Sequence, residues 1–100
     1  MKTSIELIAE ERQRQITEEQ HSLENDQNFR IGELALAGAS YAIPFNNRLY
    51  KIDGTPNIWP FDPKDWKPVL RDRIRELVKA GALIAAEIDR LQQMQLEAQK

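Results

Sequence analysis

Two groups of side chains in this sequence have types and spacing suited to holding a nucleotide. The segment Trp59-Pro60-Phe61-Asp62-Pro63-Lys64-Asp65-Trp66-Lys67-Pro68 carries three aromatic rings, and a base stacking on such a ring gains roughly 1–3 kcal/mol. Directly after it, Lys67, Arg71, Arg73, Arg75 and Lys79 form a basic cluster, in which Arg71, Arg75 and Lys79 recur every fourth residue and share a helical face. Guanidinium groups fork onto phosphate oxygens. An aromatic loop that feeds a basic helix start therefore suits a base-plus-phosphate ligand, with stacking from Trp59 and Trp66 and phosphate contacts from Arg12, Arg73, Arg75 and Lys79. Each feature also has a plainer reading. Tryptophans beside prolines pin a loop to a core, and Asp72 and Glu76 interleave with the bases as local ion-pair partners on a solvated face.

Arg12 and Gln15, three residues apart, share one face of an N-terminal helix, and Arg12 falls on its otherwise apolar stripe. A charge there must be paired or must reach a ligand. Glu33 is the expected partner, orienting Arg12 or accepting a ribose hydroxyl, and Tyr41 and Gln15 are expected to supply ring or hydroxyl contacts. His21 is the sole histidine and, beside Glu24 and Asp26, reads as a solvated loop residue more than as a metal ligand. No glycine-rich phosphate loop, nucleophile elbow or paired-histidine metal helix is present. Helical nucleoside-triphosphate pyrophosphatases hold magnesium with paired carboxylates three residues apart. Here Glu6 and Glu10 are four apart, Glu76 is followed three later by Lys79, and Glu87 and Asp89 are two apart. No catalytic residue, metal ligand or cofactor is assigned, and an enzymatic reading would need an unorthodox set from Glu10, Glu33 and Glu87.

The patterning predicts a mainly α, three-helix single domain over residues 1–100. Thr3 and Glu6 have the spacing of a capping box and start a helix over residues 3 to about 21, with Ile5, Ile8, Ala9, Arg12 and Ile16 as its inward stripe. Residues 21–28 lack periodicity and read as a loop. A second helix is expected from Phe29 to Ala42, ended by Pro44. Its small residues, Ala35, Ala37, Gly38, Ala39, Ser40 and Ala42, allow a close backbone approach and place it centrally. The connection from Pro44 to Pro68 holds all five prolines and five of the seven aromatics. Such a long connection is usually functional, and its aromatics argue that it is folded down. Asp53-Gly54 signals a turn, so Arg48–Ile52 has room for a short hairpin strand, with Pro56 and Pro60 confining any partner to an edge. The last helix is expected from near Pro68 to past Met94. Leu70, Ile74, Leu77, Gly81, Ile84, Ile88 and Leu91 recur at alternating spacings of four and three, the seam of a heptad. Val78, Ala82, Ala85 and Ala86 widen the apolar face, which needs partners in the chain and in a second copy, hence a homo-oligomer. The polar end, Gln92 to Lys100, is expected to fray.

Composition bounds the function classes. Fourteen basic against sixteen acidic side chains leave a net charge of −2, which argues against wrapping duplex nucleic acid, where a basic domain is expected. The absence of cysteine removes disulfides, thiolate zinc sites and a cysteine nucleophile. No apolar run approaches the roughly 20 residues of a membrane helix, and the charged first residues are unlike a signal peptide. A cytoplasmic location is expected, with no membrane partner.

The series Glu11-Arg12-Gln13-Arg14-Gln15, Gly32-Glu33-Leu34-Ala35, Tyr41-Ala42, Trp59-Pro60-Phe61, Trp66-Lys67-Pro68, Leu77 to Ile84 and Glu87 to Leu91 resembles a family of small accessory proteins of tailed phages and prophages. Members of that family carry Glu-Gly-Trp and then His-Asp-Asp before Gly-Glu-Leu. This chain has Glu19-Gln20-His21 and then Asn25-Asp26-Gln27, keeping only Asp26 of any metal-binding His-Asp-Asp. The resemblance implies a phage setting inside a bacterial host and disfavours metal-dependent catalysis, while the Arg, Trp and Tyr positions are retained. The expected function is a non-catalytic, oligomeric, nucleotide-binding protein that sequesters a host immune nucleotide signal. The alternatives are a pyrophosphohydrolase-like enzyme and a helical adaptor that binds a host protein through the heptad face.

Overall fold

The computed structural model describes residues 1–18 and 32–99. It is mainly helical, built from α1 (Ser4–Glu18), α2 (Glu33–Ala42) and α3 (Arg73–Ala98), with α1 and α2 both packed on α3. Among the described residues no helix is long and apolar enough to cross a membrane.

α1 begins at the capping box that the sequence predicts. The Thr3 amide donates to Glu6 Oε1 (3.0 Å) and the Glu6 amide donates to Thr3 Oγ1 (3.2 Å), so each side chain satisfies a backbone donor that helix geometry leaves open. The face that α1 buries differs from the expected stripe. Glu11, Arg12 and Gln15 are buried, while Ile5 and Ala9 are exposed. Two contacts fix this rotation. A β-carbon added at Gly81 would lie 2.8 Å from Ile8 Cδ1, so Ile8 occupies the space the glycine leaves. One position further round, Glu11 Oε1 meets Arg75 Nη2 of α3 at 2.7 Å. Charged residues turn inward here because their partners are inside.

α2 follows Gly32, whose φ of 88° is the left-handed conformation that favours glycine. The helix stops at Ile43, extended ahead of Pro44. As its small residues predict, α2 is central: Leu34, Ala37, Gly38, Ser40 and Tyr41 are buried. A β-carbon at Gly38 would stand 3.0 Å from Ile84 Cγ1 and 3.1 Å from the Ala80 carbonyl oxygen, so the two backbones nearly touch. The core runs from Leu34, Ala37 and Tyr41 across to Ala80, Leu83 and Ala86 of α3, and is closed by Trp59.

The connection between α2 and α3 is folded down, as its aromatics predict. Two short 3-10 turns, Phe45–Asn47 and Pro63–Asp65, flank a hairpin-like bend. The bend is a single antiparallel bridge, Tyr50 to Pro56, and not a strand pair. Its bonds are Lys51 N to Thr55 O and Asn57 N to Leu49 O, both 2.7 Å, around Gly54 at φ 88°. Pro56 sits at the non-hydrogen-bonded position of this bridge, where its missing N–H costs no bond to the partner segment.

α3 starts five residues later than Pro68, at Arg73. Asp72 is its N-cap, with the side chain accepting from the Arg75 amide at 3.0 Å. Ahead of it, the Val69 amide donates to Glu76 Oε2 (3.0 Å) and the Asp72 amide to Val69 O (3.0 Å), a turn that holds Pro68 to Arg71 out of the helix. The stripe expected as secondary is the inner one: Val78, Ala82 and Ala86 are buried together with Ala80 and Leu83. The heptad seam of Ile74, Leu77, Ile84, Ile88 and Leu91 faces outward.

Candidate functional site

α1, α2, α3 and the aromatic connection enclose a cavity of about 390 Å³. One wall is aromatic. Tyr41 comes from the last turn of α2, while Trp59 and Phe61 come from the connection. Their rings interlock edge-to-face, Tyr41 to Trp59 at 5.7 Å and 89°, Trp59 to Phe61 at 5.7 Å and 88°, the arrangement that aligns a ring's positive edge with its neighbour's negative face. The Trp59 indole donates to the Asp62 carbonyl at 3.1 Å and is 5% exposed, so it backs the wall and cannot stack on both faces. The opposite wall is polar, with Glu11, Arg14, Gln15 and Glu18 of α1. Lys67, Asp65 and Lys79 complete the lining.

The polar wall leaves one acceptor open. Glu11 is 2% exposed. Burial works against its carboxylate, but hydrogen bonds and charge from Arg14 and Arg75 outweigh burial and hold its pKa below the usual glutamate value. Ionised, Glu11 can only accept. Its Oε2 takes a bond from Gln15 Nε2 at 3.1 Å, which fixes the Gln15 amide with nitrogen toward Glu11. Gln15 Oε1, on a side chain 3% exposed that lines the cavity, then has no hydrogen-bond partner among the described residues. Buried acceptors of this kind are uncommon. The Lys79 ammonium, also in the lining, lies 5.4 Å above the Tyr41 ring and donates to the Lys67 carbonyl at 3.1 Å. The Tyr41 hydroxyl accepts from the Lys67 amide at 3.1 Å.

Of the expected site residues, Gln15, Tyr41, Trp59 and Lys79 come together at this cavity, and the others do not line it. Trp66 packs behind the wall, 4.6 Å from the Tyr41 ring and 5.1 Å from that of Trp59, with the Arg48 guanidinium 5.3 Å over its own ring. Arg73 is drawn to the end of α2, where it donates to the carbonyls of Tyr41 (2.8 Å) and Ala42 and to Glu76 (3.3 Å). Arg75 is bound to Glu11, as above, and Arg12 reaches Asp89 at 3.4 Å. Glu33 opens α2. The phosphate contacts expected from Arg12, Arg73 and Arg75 therefore have no geometric basis at this cavity. Their guanidinium groups are engaged with carboxylates and helix-end carbonyls. Phe61 and Lys67 belong to the aromatic segment and basic cluster read from the sequence but were given no role of their own there, and Glu11 and Arg14 were passed over as site residues. The signal available for Glu11 was its place four residues before Gln15, which puts the two on one helical face.

Among the described residues no three or more of His, Asp and Glu are grouped so as to hold a metal ion, and Glu10, Glu33 and Glu87 are all described. Glu10 is paired with Lys2 at 2.5 Å and Glu87 with Arg90 at 2.5 Å. The stretch from Glu19 to Gln27, including His21 and Asp26, lies outside the described residues. No family model matches the chain, and neither a curated relative nor a solved structure matches it. The resemblance to phage accessory proteins rests on the sequence motifs alone.

Proposed function

We propose that this protein binds a nucleotide in the cavity between α1 and the aromatic wall and holds it without converting it, as expected of a phage protein that sequesters a host nucleotide signal. The observation that carries the reading is the orphaned Gln15 Oε1. It is a buried acceptor on a side chain that lines the same cavity as the aromatic rings, and it suits a ligand with a hydrogen-bond donor, such as the exocyclic amine or ring N–H of a base. Phe61, the least buried ring of the wall, offers the ring surface with Trp59 and Tyr41 packed behind it, and the ammonium groups of Lys79 and Lys67 meet the phosphate. The cavity lies within the 300–1,000 Å³ common for small-molecule sites, and at about 390 Å³ it takes one nucleotide.

The test is to incubate the purified protein with a panel of linear, cyclic and ADP-ribose-type nucleotides, with and without magnesium. After removal of free ligand, the protein is heat-denatured and the released molecules are identified. A nucleotide recovered intact supports sequestration. A converted nucleotide would replace this reading with an enzymatic one, and recovery of nothing from any member would sink it.

A further inference from the structure

Glu11 and Gln15 stand one helical turn apart on α1 and both line the cavity. Both oxygens of the buried Glu11 carboxylate are engaged. Oε1 meets Arg14 Nε at 2.8 Å and Arg75 Nη2 at 2.7 Å, and Oε2 meets Arg14 Nη2 at 2.7 Å and Gln15 Nε2 at 3.1 Å. Held between two guanidinium groups, Glu11 stays ionised and has no proton to give. A Gln15 amide turned over would set its oxygen against Glu11 Oε2 at that same distance, two buried acceptors with no hydrogen between them. The turned orientation is therefore shut out, and Oε1 is the atom that Gln15 keeps for a ligand.

The consequence reaches past nucleotides in general to the kind of base, and it rests on the nucleotide reading above. An exocyclic group is the outermost part of a base edge. On adenine or cytosine it is an amine, a donor; on thymine or uracil the corresponding group is a carbonyl, an acceptor. Against a fixed acceptor the amine gains a bond, whereas the carbonyl leaves two oxygens facing each other, the repulsive half of a specific site. We infer that Glu11 is the positioning residue that sets the base specificity of the cavity: through Gln15 it selects a nucleotide whose base carries an exocyclic amine. Glu11→Gln reverses the setting without changing the shape. The new amide keeps the larger number of arginine contacts when its oxygen stays at the Oε1 position, with Arg14 Nε and Arg75, and its nitrogen takes the Oε2 position. Gln15 then turns to accept from that nitrogen and offers Nε2 to the cavity.

The probes are adenosine monophosphate and purine riboside monophosphate, which differ only by the exocyclic amine. Titration calorimetry of the parent is expected to give about tenfold tighter binding of adenosine monophosphate, the worth of one buried hydrogen bond. Glu11→Gln is expected to reverse the preference, and Gln15→Leu to bind the two alike. A merely structural residue, once changed, would weaken both probes equally. A second readout needs no ligand. Hydrogen exchange of the Gln15 side-chain amide, followed by NMR and assigned by its absence in Gln15→Leu, is expected to be slow in the parent and fast in Glu11→Gln, where the nitrogen faces the cavity. The inference is overturned by a parent that binds the two probes alike, by a Glu11→Gln protein that keeps the parent's preference, or by fast exchange in the parent. The nucleotide reading fails separately. Binding of both probes without preference leaves it standing, and recovery of nothing from the nucleotide panel sinks it, while the exchange measurement still decides whether Glu11 sets the Gln15 amide.

Discussion

The Arg48 guanidinium stands 3.1 Å from the Glu76 carboxylate with both side chains closed to solvent, at 0% and 2% exposure. The pair joins the connection to the first turn of α3 and, through it, to the end of α2. Arg48 also donates to the carbonyls of Ser40 (3.0 Å) and Tyr41 (3.1 Å), and Glu76 also receives Arg73 and the Val69 amide. One carboxylate thus collects two arginines and a backbone donor, and the arginines in turn close the carbonyls that a helix end leaves open.

Removing half of such a pair leaves a buried charge without compensation, which costs about 3–5 kcal/mol. Glu76→Gln is expected to destabilise the fold by that amount, read as a fall in the urea midpoint with an unchanged slope. Arg73→Ala, whose side chain is more exposed than its partners, is expected to lose less. Equal losses from the two variants would show that Arg48 does not depend on Glu76.

Close approach of α2 and α3 gives a second expectation. A side chain at Gly38 meets Ile84 Cγ1 and the Ala80 carbonyl at about the limit of contact, and the carbonyl cannot turn aside. Gly38→Val should lower stability by roughly 1–3 kcal/mol through overpacking, despite the poor helix propensity of glycine. Gly81→Ala meets only side-chain carbons of Ile8, Cδ1 at 2.8 Å and Cγ1 at 3.0 Å, and no backbone atom, so it should be milder in the same thermal melt.

Glu11 makes stability depend on acid. Its folded pKa lies below the usual value of 4.5, so the unfolded chain takes up a proton first. The stabilisation is complete above the usual value and is lost as pH falls through the lower folded value. Urea unfolding at pH 7 and at pH 3.5 should show a larger loss for the parent than for Glu11→Gln. Parallel losses would place the acid sensitivity elsewhere.

Gln15→Leu separates binding from folding. The substitution removes an acceptor that is unsatisfied in the free protein, along with one bond to Glu11, which keeps Arg14 and Arg75. Stability should move by less than about 1 kcal/mol, while affinity for the nucleotide recovered from the panel drops about tenfold, the worth of one buried hydrogen bond. Titration calorimetry of both proteins decides it. Unchanged affinity would take Gln15 out of the site.

The elements were largely legible in the sequence because their signals are local. The Thr3–Glu6 box, the stop at Pro44, the crowding of small residues in α2 and the aromatic connection each depend on neighbours a few residues away, and the structure has all four. The orientation of α1 and the order of the two stripes on α3 were not legible. Ile5 and Ile74 look like core residues by type and spacing. What turns them outward is the pairing of Glu11 with Arg75 and the seating of Ile8 on Gly81, contacts between residues more than sixty positions apart. The site divides the same way. Tyr41, Trp59, Gln15 and Lys79 were legible as aromatic or polar candidates. Arg73 and Arg75 looked equally suited to phosphate, and what removes them from the cavity is a helix end and a carboxylate brought to them by the fold.

Trp59 and Trp66 are the chain's two tryptophans, and their rings sit 5.1 Å apart at 62°, with Tyr41 against both. Chromophores this close and this inclined share their excited states. The far-ultraviolet spectrum of the protein therefore carries an exciton couplet on top of its helical bands, and helix content read from ellipticity alone will be biased. The couplet reports the seating of the connection, and the helical bands report the helices. A single spectrum followed through a melt separates release of the cavity wall from loss of the helices, without any label.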